Sequence, residues 1–160
     1  MMRKKLYLAA PLFSESEKQY NRYLKDILQP YFDVYLPQED GKLLVDLVKN
    51  GMNADEAEKI VFCNDVDAIA ESDVLLILLD GRAVDEGAAF ELGYAYSLGK
   101  QCIGLQTDPR RLLLTGNNPM LKCAMTSVFE STESLVSWCR EFIDKSAFNY
   151  IYCPEIALRF

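Results

Sequence analysis

Apolar and polar positions along the chain alternate between two periods. Short apolar runs at residues 4–10, 32–36, 74–79, 101–106 and 126–129 have the length and flanking turn signals of buried β-strands. Between them lie segments of helical period. The first follows Pro11 and opens at Ser14 or Ser16, with Ser14 and Glu17 at capping-box spacing, and closes at Pro30 after Gln29. A short amphipathic helix is predicted over 42–50, with Leu43, Leu44, Leu47 and Val48 on one face and Gly51 as its stop. A second starts at Asn53 as N-cap and runs towards Glu71, carrying the acids Asp65 and Asp67 within an otherwise core-like pattern.

The stretch from Asp73 to Lys100 is the centre of this plan: a fully apolar strand, an acidic turn over 80–87, then a helix whose early turns carry Glu91. Residues 38–41 are expected to form a polar loop, and 112–125 a loop with room for one short helix. A last helix over 131–145 begins at Ser131-x-x-Ser134 or Thr132-x-x-Leu135, neither a full box. The aromatic tail 147–160 is expected to pack on its own domain or on a neighbouring subunit.

Five strands separated by helices imply parallel pairing with right-handed crossovers and helices on both faces. The predicted fold is therefore a flavodoxin-like, doubly wound α/β sheet in the order 2-1-3-4-5, with 1–160 as a single domain. Its topological switch point lies between strands one and three, which brings Tyr7 to Phe13 beside Asp80 to Glu91.

Charge and composition then narrow the chemistry. A net charge of -7 and a pI near 4.7 disfavour nucleic acid and anionic membranes as partners, since both call for a basic face. The five cysteines are odd in number and lack C-x-x-C spacing, which reads as reduced core residues in a cytoplasmic protein. The N-terminal apolar run is broken at once by Ser14, Glu15 and Glu17, as expected of a first strand rather than a signal peptide.

The chain has no histidine, which removes His-based triads and His-containing metal sites. Its glycines match neither dinucleotide nor P-loop fingerprints, so no cofactor is expected. A metal site built from Asp65, Asp67, Asp80, Asp85 and Glu86 fits no known loop spacing, and none is expected.

One reading of the helix around Glu91 is structural. It buries Phe90, Leu92, Ala95 and Leu98 while its acids match the positive end of the helix dipole. The other is carboxylate chemistry, and glycosidic bond cleavage is the main reaction class that needs only that.

The segments KKLYLAAPLF, NDVDAIAESDVLLILLDG, DEGAAFELGYAYSLGK and NNPM together resemble the nucleoside 2-deoxyribosyltransferases, with FELGYA the most specific part. The resemblance implies Glu91 as the nucleophile that attacks C1′ of a 2′-deoxynucleoside, and Asp85 as the acid that positions the sugar hydroxyls. It implies Asp65 as the acid that handles the proton of the base, and Tyr7 as the group that orients the nucleophile. Asn118 and Met120 match an N-x-M motif supplied by a neighbouring subunit, so a homo-oligomer built from dimers is implied.

Small residues at Gly87, Ala88 and Ala89 would let the sugar approach the backbone closely. Phe13 lies in the turn after strand one, beside the expected base. That turn, Ala9-Ala10-Pro11-Leu12-Phe13, departs from the glycine and tryptophan common in the family. Gln38, Glu39 and Asp40 are placed either at the base edge or in a solvated loop.

The implied activity is transfer of 2-deoxyribose between nucleobases through a covalent deoxyribosyl-glutamate, with 2′-deoxynucleosides and free nucleobases as partners. Two alternatives remain. One is an N-glycosidase acting on 2′-deoxynucleosides or their 5′-monophosphates, and the other is a non-catalytic nucleoside sensor. The acidic loop APLFSESE argues against a phosphate pocket.

Overall fold

The computed structural model describes residues 3–110 and 116–151, with side chains to 145. Five parallel strands, β1 (Lys5–Ala9), β2 (Asp33–Tyr35), β3 (Val74–Leu78), β4 (Gln101–Leu105) and β5 (Ser127–Phe129), form one sheet in the order β2-β1-β3-β4-β5. This is the expected flavodoxin-like order, with the switch point between β1 and β3. Seven helices connect and follow them: α1 (Glu15–Leu28), α2 (Pro37–Asp40), α3 (Leu44–Lys49), α4 (Ala54–Glu71), α5 (Glu86–Ser97), α6 (Pro119–Lys122) and α7 (Thr132–Ile151).

Strand alternation sorts the core into two layers. Leu6, Leu8, Val74, Leu76, Ile103 and Leu105 point to one face and bury against Leu24 and Leu28 of α1 and Leu135 and Cys139 of α7. Tyr7, Ala9, Leu75, Ile77 and Cys102 point to the other, against Ile69 of α4 and Ala88, Leu92 and Ala95 of α5. The helices α4 and α5 that cover this second layer carry Asp65 and Glu91. Gly104 is required there: a Cβ on it would lie 2.7 Å from Met125 Sδ and 2.9 Å from a Leu79 methyl.

Several local expectations hold for the stated reasons. Ser14 caps α1 in a complete capping box with Glu17, and Asn53 caps α4 by accepting from the Asp55 amide. Gly51 stops α3 at a φ of 92°, and Ser131 accepts from the Ser134 amide at the start of α7.

Others are corrected. Residues 37–40 are not a loop but the helical turn α2, because Pro37 suits a first helical position and Asp40 reaches back to the Leu36 amide. The Gln38, Glu39 and Asp40 side chains are engaged with α1. Gln38 bonds Asn21 and the Lys18 carbonyl, Glu39 pairs with Arg22 and Lys25, and Asp40 pairs with Lys25. On α3, Leu44, Val45 and Val48 stay exposed rather than buried.

Cys102 and Cys139 are core residues, whereas Cys63 and Cys123 are exposed free thiols. The loop expected over 112–125 contains α6, and α7 continues past Lys145 to Ile151. The packing expected of 147–160, including the thiol of Cys153, lies outside the described residues and side chains.

Candidate active site

The site is assembled at the carboxyl end of β1 and β3, where α4 and α5 lean over the sheet. Asp85 ends the turn after β3 as the N-cap of α5, its carboxylate accepting from the Ala88 amide at 2.9 Å. That cap fixes where α5 begins, and Glu91 falls one and a half turns later on the face turned to the sheet. Tyr7, fully buried on β1, donates its hydroxyl to Glu91 Oε1 at 2.6 Å. A hydrogen bond spanning 84 residues thus joins two of the expected groups.

Asp65, half-buried on α4, lines the same cavity of about 280 Å³ as Glu91 and Gly87. The upper walls of that cavity are apolar: Leu44, Val61, Phe62 and Phe90. Phe62 and Phe90 are 54% and 53% exposed, and their ring centroids lie 5.9 Å apart. The structural reading of α5 placed Phe90 and Leu98 in the core. Both are exposed, and Ala88, Leu92 and Ala95 carry the buried face instead. That leaves Phe90 to line a recess that opens onto a carboxylate.

A tyrosine hydrogen bond and a helix N-terminus both favour an ionised carboxylate at Glu91. Burial outweighs them, and with the charges of Asp65 and Asp85 nearby it pushes the Glu91 carboxyl up to about 8, while the Tyr7 hydrogen bond opposes the rise. Asp65 is also raised by burial, partly offset by a hydrogen bond from Asn64. Burial and the neighbouring carboxylates push the Tyr7 phenol far up, so it remains a donor throughout the physiological range.

With the Glu91 carboxyl pushed up to about 8, the site retains a proton near neutral pH. Such an arrangement can supply one carboxylate as nucleophile and its protonated neighbour as acid.

The remaining expected residues lie elsewhere. Asn118 caps the short helix α6, accepting from the Met120 amide, and is exposed. Met120 is 81% exposed and Phe13 77%. None of the three lines the cavity beside Glu91.

Two groups that sequence reasoning missed do belong to the assembly. Tyr35, at the end of β2, stacks on Tyr7 with centroids 5.4 Å apart and an interplanar angle of 15°. Asn64 donates its side-chain amide to the Tyr35 hydroxyl at 2.5 Å. The available signal was registry, since parallel pairing sets Tyr7 opposite Tyr35. Asp80, considered as a metal ligand, instead accepts from the Thr107 amide and hydroxyl and the Asp108 amide, fastening the turn after β4.

The family model for nucleoside 2-deoxyribosyltransferase matches residues 6–142. Among solved structures, a conserved protein from Enterococcus faecalis V583 is similar with a TM-score of 0.71 and 28% identity, over 88% of this chain and 99% of that one. A 2-deoxyribosyltransferase from Bacillus psychrosaccharolyticus is similar with a TM-score of 0.69 and 26% identity, over 82% of this chain and 90% of that one. The CMP N-glycosidase BcmB from Clostridium botulinum shares the fold, with a TM-score of 0.51, 21% identity and coverage of 87% and 99%.

No curated protein matches the sequence significantly. Among the described residues no helix is long and apolar enough to cross a membrane. With the family model spanning most of the chain and a matching fold around its carboxylates, the chain belongs to the nucleoside 2-deoxyribosyltransferase family.

Proposed function

We propose that the protein transfers 2-deoxyribose between nucleobases by double displacement at Glu91. The observation that carries this reading is the Tyr7–Glu91 hydrogen bond at the floor of a cavity that also holds Asp65. In the productive protonation state the site's proton sits on Asp65 and the charge on Glu91.

A Glu91 oxygen bonds C1′ of the 2′-deoxynucleoside as the N-glycosidic bond breaks. The bond pair leaves with the base, which takes the proton from Asp65. A second base, deprotonated by Asp65, then attacks C1′ and releases Glu91, so two inversions give net retention. Asp85, beside the helix start and exposed Gly87, is assigned to the sugar hydroxyls. The apolar walls contributed by Phe62 and Phe90 favour a planar base and limit access of water to the intermediate.

Asn118 and Met120, exposed on α6, are assigned to the sugar site of a neighbouring subunit in a homo-oligomer, with Phe13 on the base side. Hydrolysis of 5′-monophosphates is the weaker reading. A phosphate after β1 would need the free amides of the α1 N-terminus. Glu17 already accepts from the Phe13 and Ser14 amides, at 3.0 and 2.7 Å, and places a negative charge there.

Incubation with 2′-deoxyinosine and free adenine tests the assignment. Formation of 2′-deoxyadenosine is the expected result. Free deoxyribose alone would mark a hydrolase, and binding without turnover a sensor.

A further inference from the structure

Tyr35 has no part in the chemistry described above, yet it is tied to it from two sides. In the parallel register of β1 and β2, Tyr7 pairs with Tyr35, so both rings stand on the face covered by α4. They stack at 5.4 Å and 15°, nearly parallel. The Tyr35 hydroxyl is pinned by the Asn64 amide at 2.5 Å.

Gly41 keeps space open beside it, since a Cβ there would lie 3.1 Å from the Tyr35 hydroxyl. On its far side Tyr35 faces no packed core. Together with Asn64, Asp33, Asp67 and Glu71 it lines an open hollow of about 350 Å³ along the β2 edge. The stack on Tyr7 and the hydrogen bond from α4 therefore fix this ring between them.

We propose that Tyr35, held by Asn64, is a positioning residue that sets the Tyr7 ring and, through it, the hydrogen bond to the nucleophile Glu91. The edge strand β2 and the helix α4 thereby act on a carboxylate that neither touches through Tyr35 itself. Asn64 is also the neighbour of Asp65 on α4, so the same stretch of helix carries the acid and the support behind the nucleophile's partner. The charged and titratable groups facing Glu91 are Tyr7 from β1, Asp65 from α4 and Asp85 from the start of α5. A loosened Tyr7 changes only the first.

The role rests on the assignment of Glu91 as nucleophile, and the test has an arm that does not. Carbon-13 NMR of the Glu91 carboxyl in the unliganded protein reads its titration directly. Tyr35→Leu, which removes stack and hydroxyl, is expected to move the midpoint upward by about half a pH unit or more, because the Tyr7 hydrogen bond normally holds it down. Tyr35→Phe keeps the stack and loses only the pin, and is expected to shift it less in the same direction. It also carries the test if the leucine variant fails to fold.

On a Tyr7→Phe background neither change should move the midpoint further. In the transfer assay Tyr35→Leu should lower kcat about tenfold with little change in KM, and Tyr35→Phe should recover most of the loss. Equal shifts with and without the Tyr7 hydroxyl, or no shift, would overturn the proposal. A shift as expected in a protein that transfers no deoxyribose would retain the coupling and discard the proposed reaction.

Discussion

The two halves of the expected site differ in how they are held. Tyr7, Asp65 and Glu91 come from β1, α4 and α5 and meet at the sheet, where burial and a 2.6 Å hydrogen bond define their relation. Phe13, Asn118 and Met120, the expected outer rim, lie away from that cavity, exposed, with only local bonds to their own turns. The inner half costs stability to assemble, because two carboxylates are gathered with the charge of Asp85 nearby, and Glu91 is pushed up to about 8. The outer half costs little, because its residues stay exposed to water.

The largest expected effect comes from the inner half. Glu91→Ala should abolish the covalent adduct and reduce turnover on the order of 10⁴-fold while leaving the fold intact. Activity surviving at about a tenth of wild type would mean that the nucleophile lies elsewhere.

The rim is tested next. Asn118→Ala should lose activity by about 10- to 100-fold, and mixing it with Glu91→Ala should restore turnover as subunits exchange. Each mixed pair then contains one intact nucleophile facing one intact rim. A fully active monomer, seen by sedimentation at assay concentration, would erase the distinction between the halves.

A third prediction measures the cost of the inner half through pH. The Glu91 carboxyl has a folded value above its unfolded one, so its contribution is fully present at low pH and is lost as pH rises from about 4.5 through about 8. The slope is at most about 1.4 kcal/mol per pH unit over that window. Glu91→Gln should therefore match wild type in Tm near pH 4 and exceed it by several degrees near pH 8.5. Equal melting curves at both pH values would show that the carboxyl is not held in this way.

The productive state holds one proton, on Asp65, so kcat/KM in the free enzyme is expected to stay level below about 8 and to fall as pH rises through about 8 and the site loses that proton. Smallest of all, Phe13→Ala should raise KM a few-fold with kcat nearly unchanged, since an exposed ring at the rim contributes binding and no chemistry. A comparable loss in kcat would place Phe13 with the inner half.

Much of the inner half was legible in the chain. The apolar run of β3 and the acidic turn after it point to a helix start beyond a parallel strand, because period acts within a few residues, and FELGYA singled out Glu91 through its resemblance to a family. Tyr35 and Asn64 were not legible. Their roles depend on the register between β1 and β2 and on how α4 lies across them, and no local pattern encodes either. Phe90 shows the same limit. Its spacing fits a core position, and only the placement of α4 beside α5 opens a cavity there.

By itself the sequence determined the strand order and the absence of histidine chemistry, since these follow from periodicity, crossover handedness and residue type, while the choice of acids rested on resemblance to a family. The tertiary structure alone decided the protonation of Glu91 and the partner that holds Tyr7. Desolvation and the distances between charges exist only once segments 84 residues apart have been packed together.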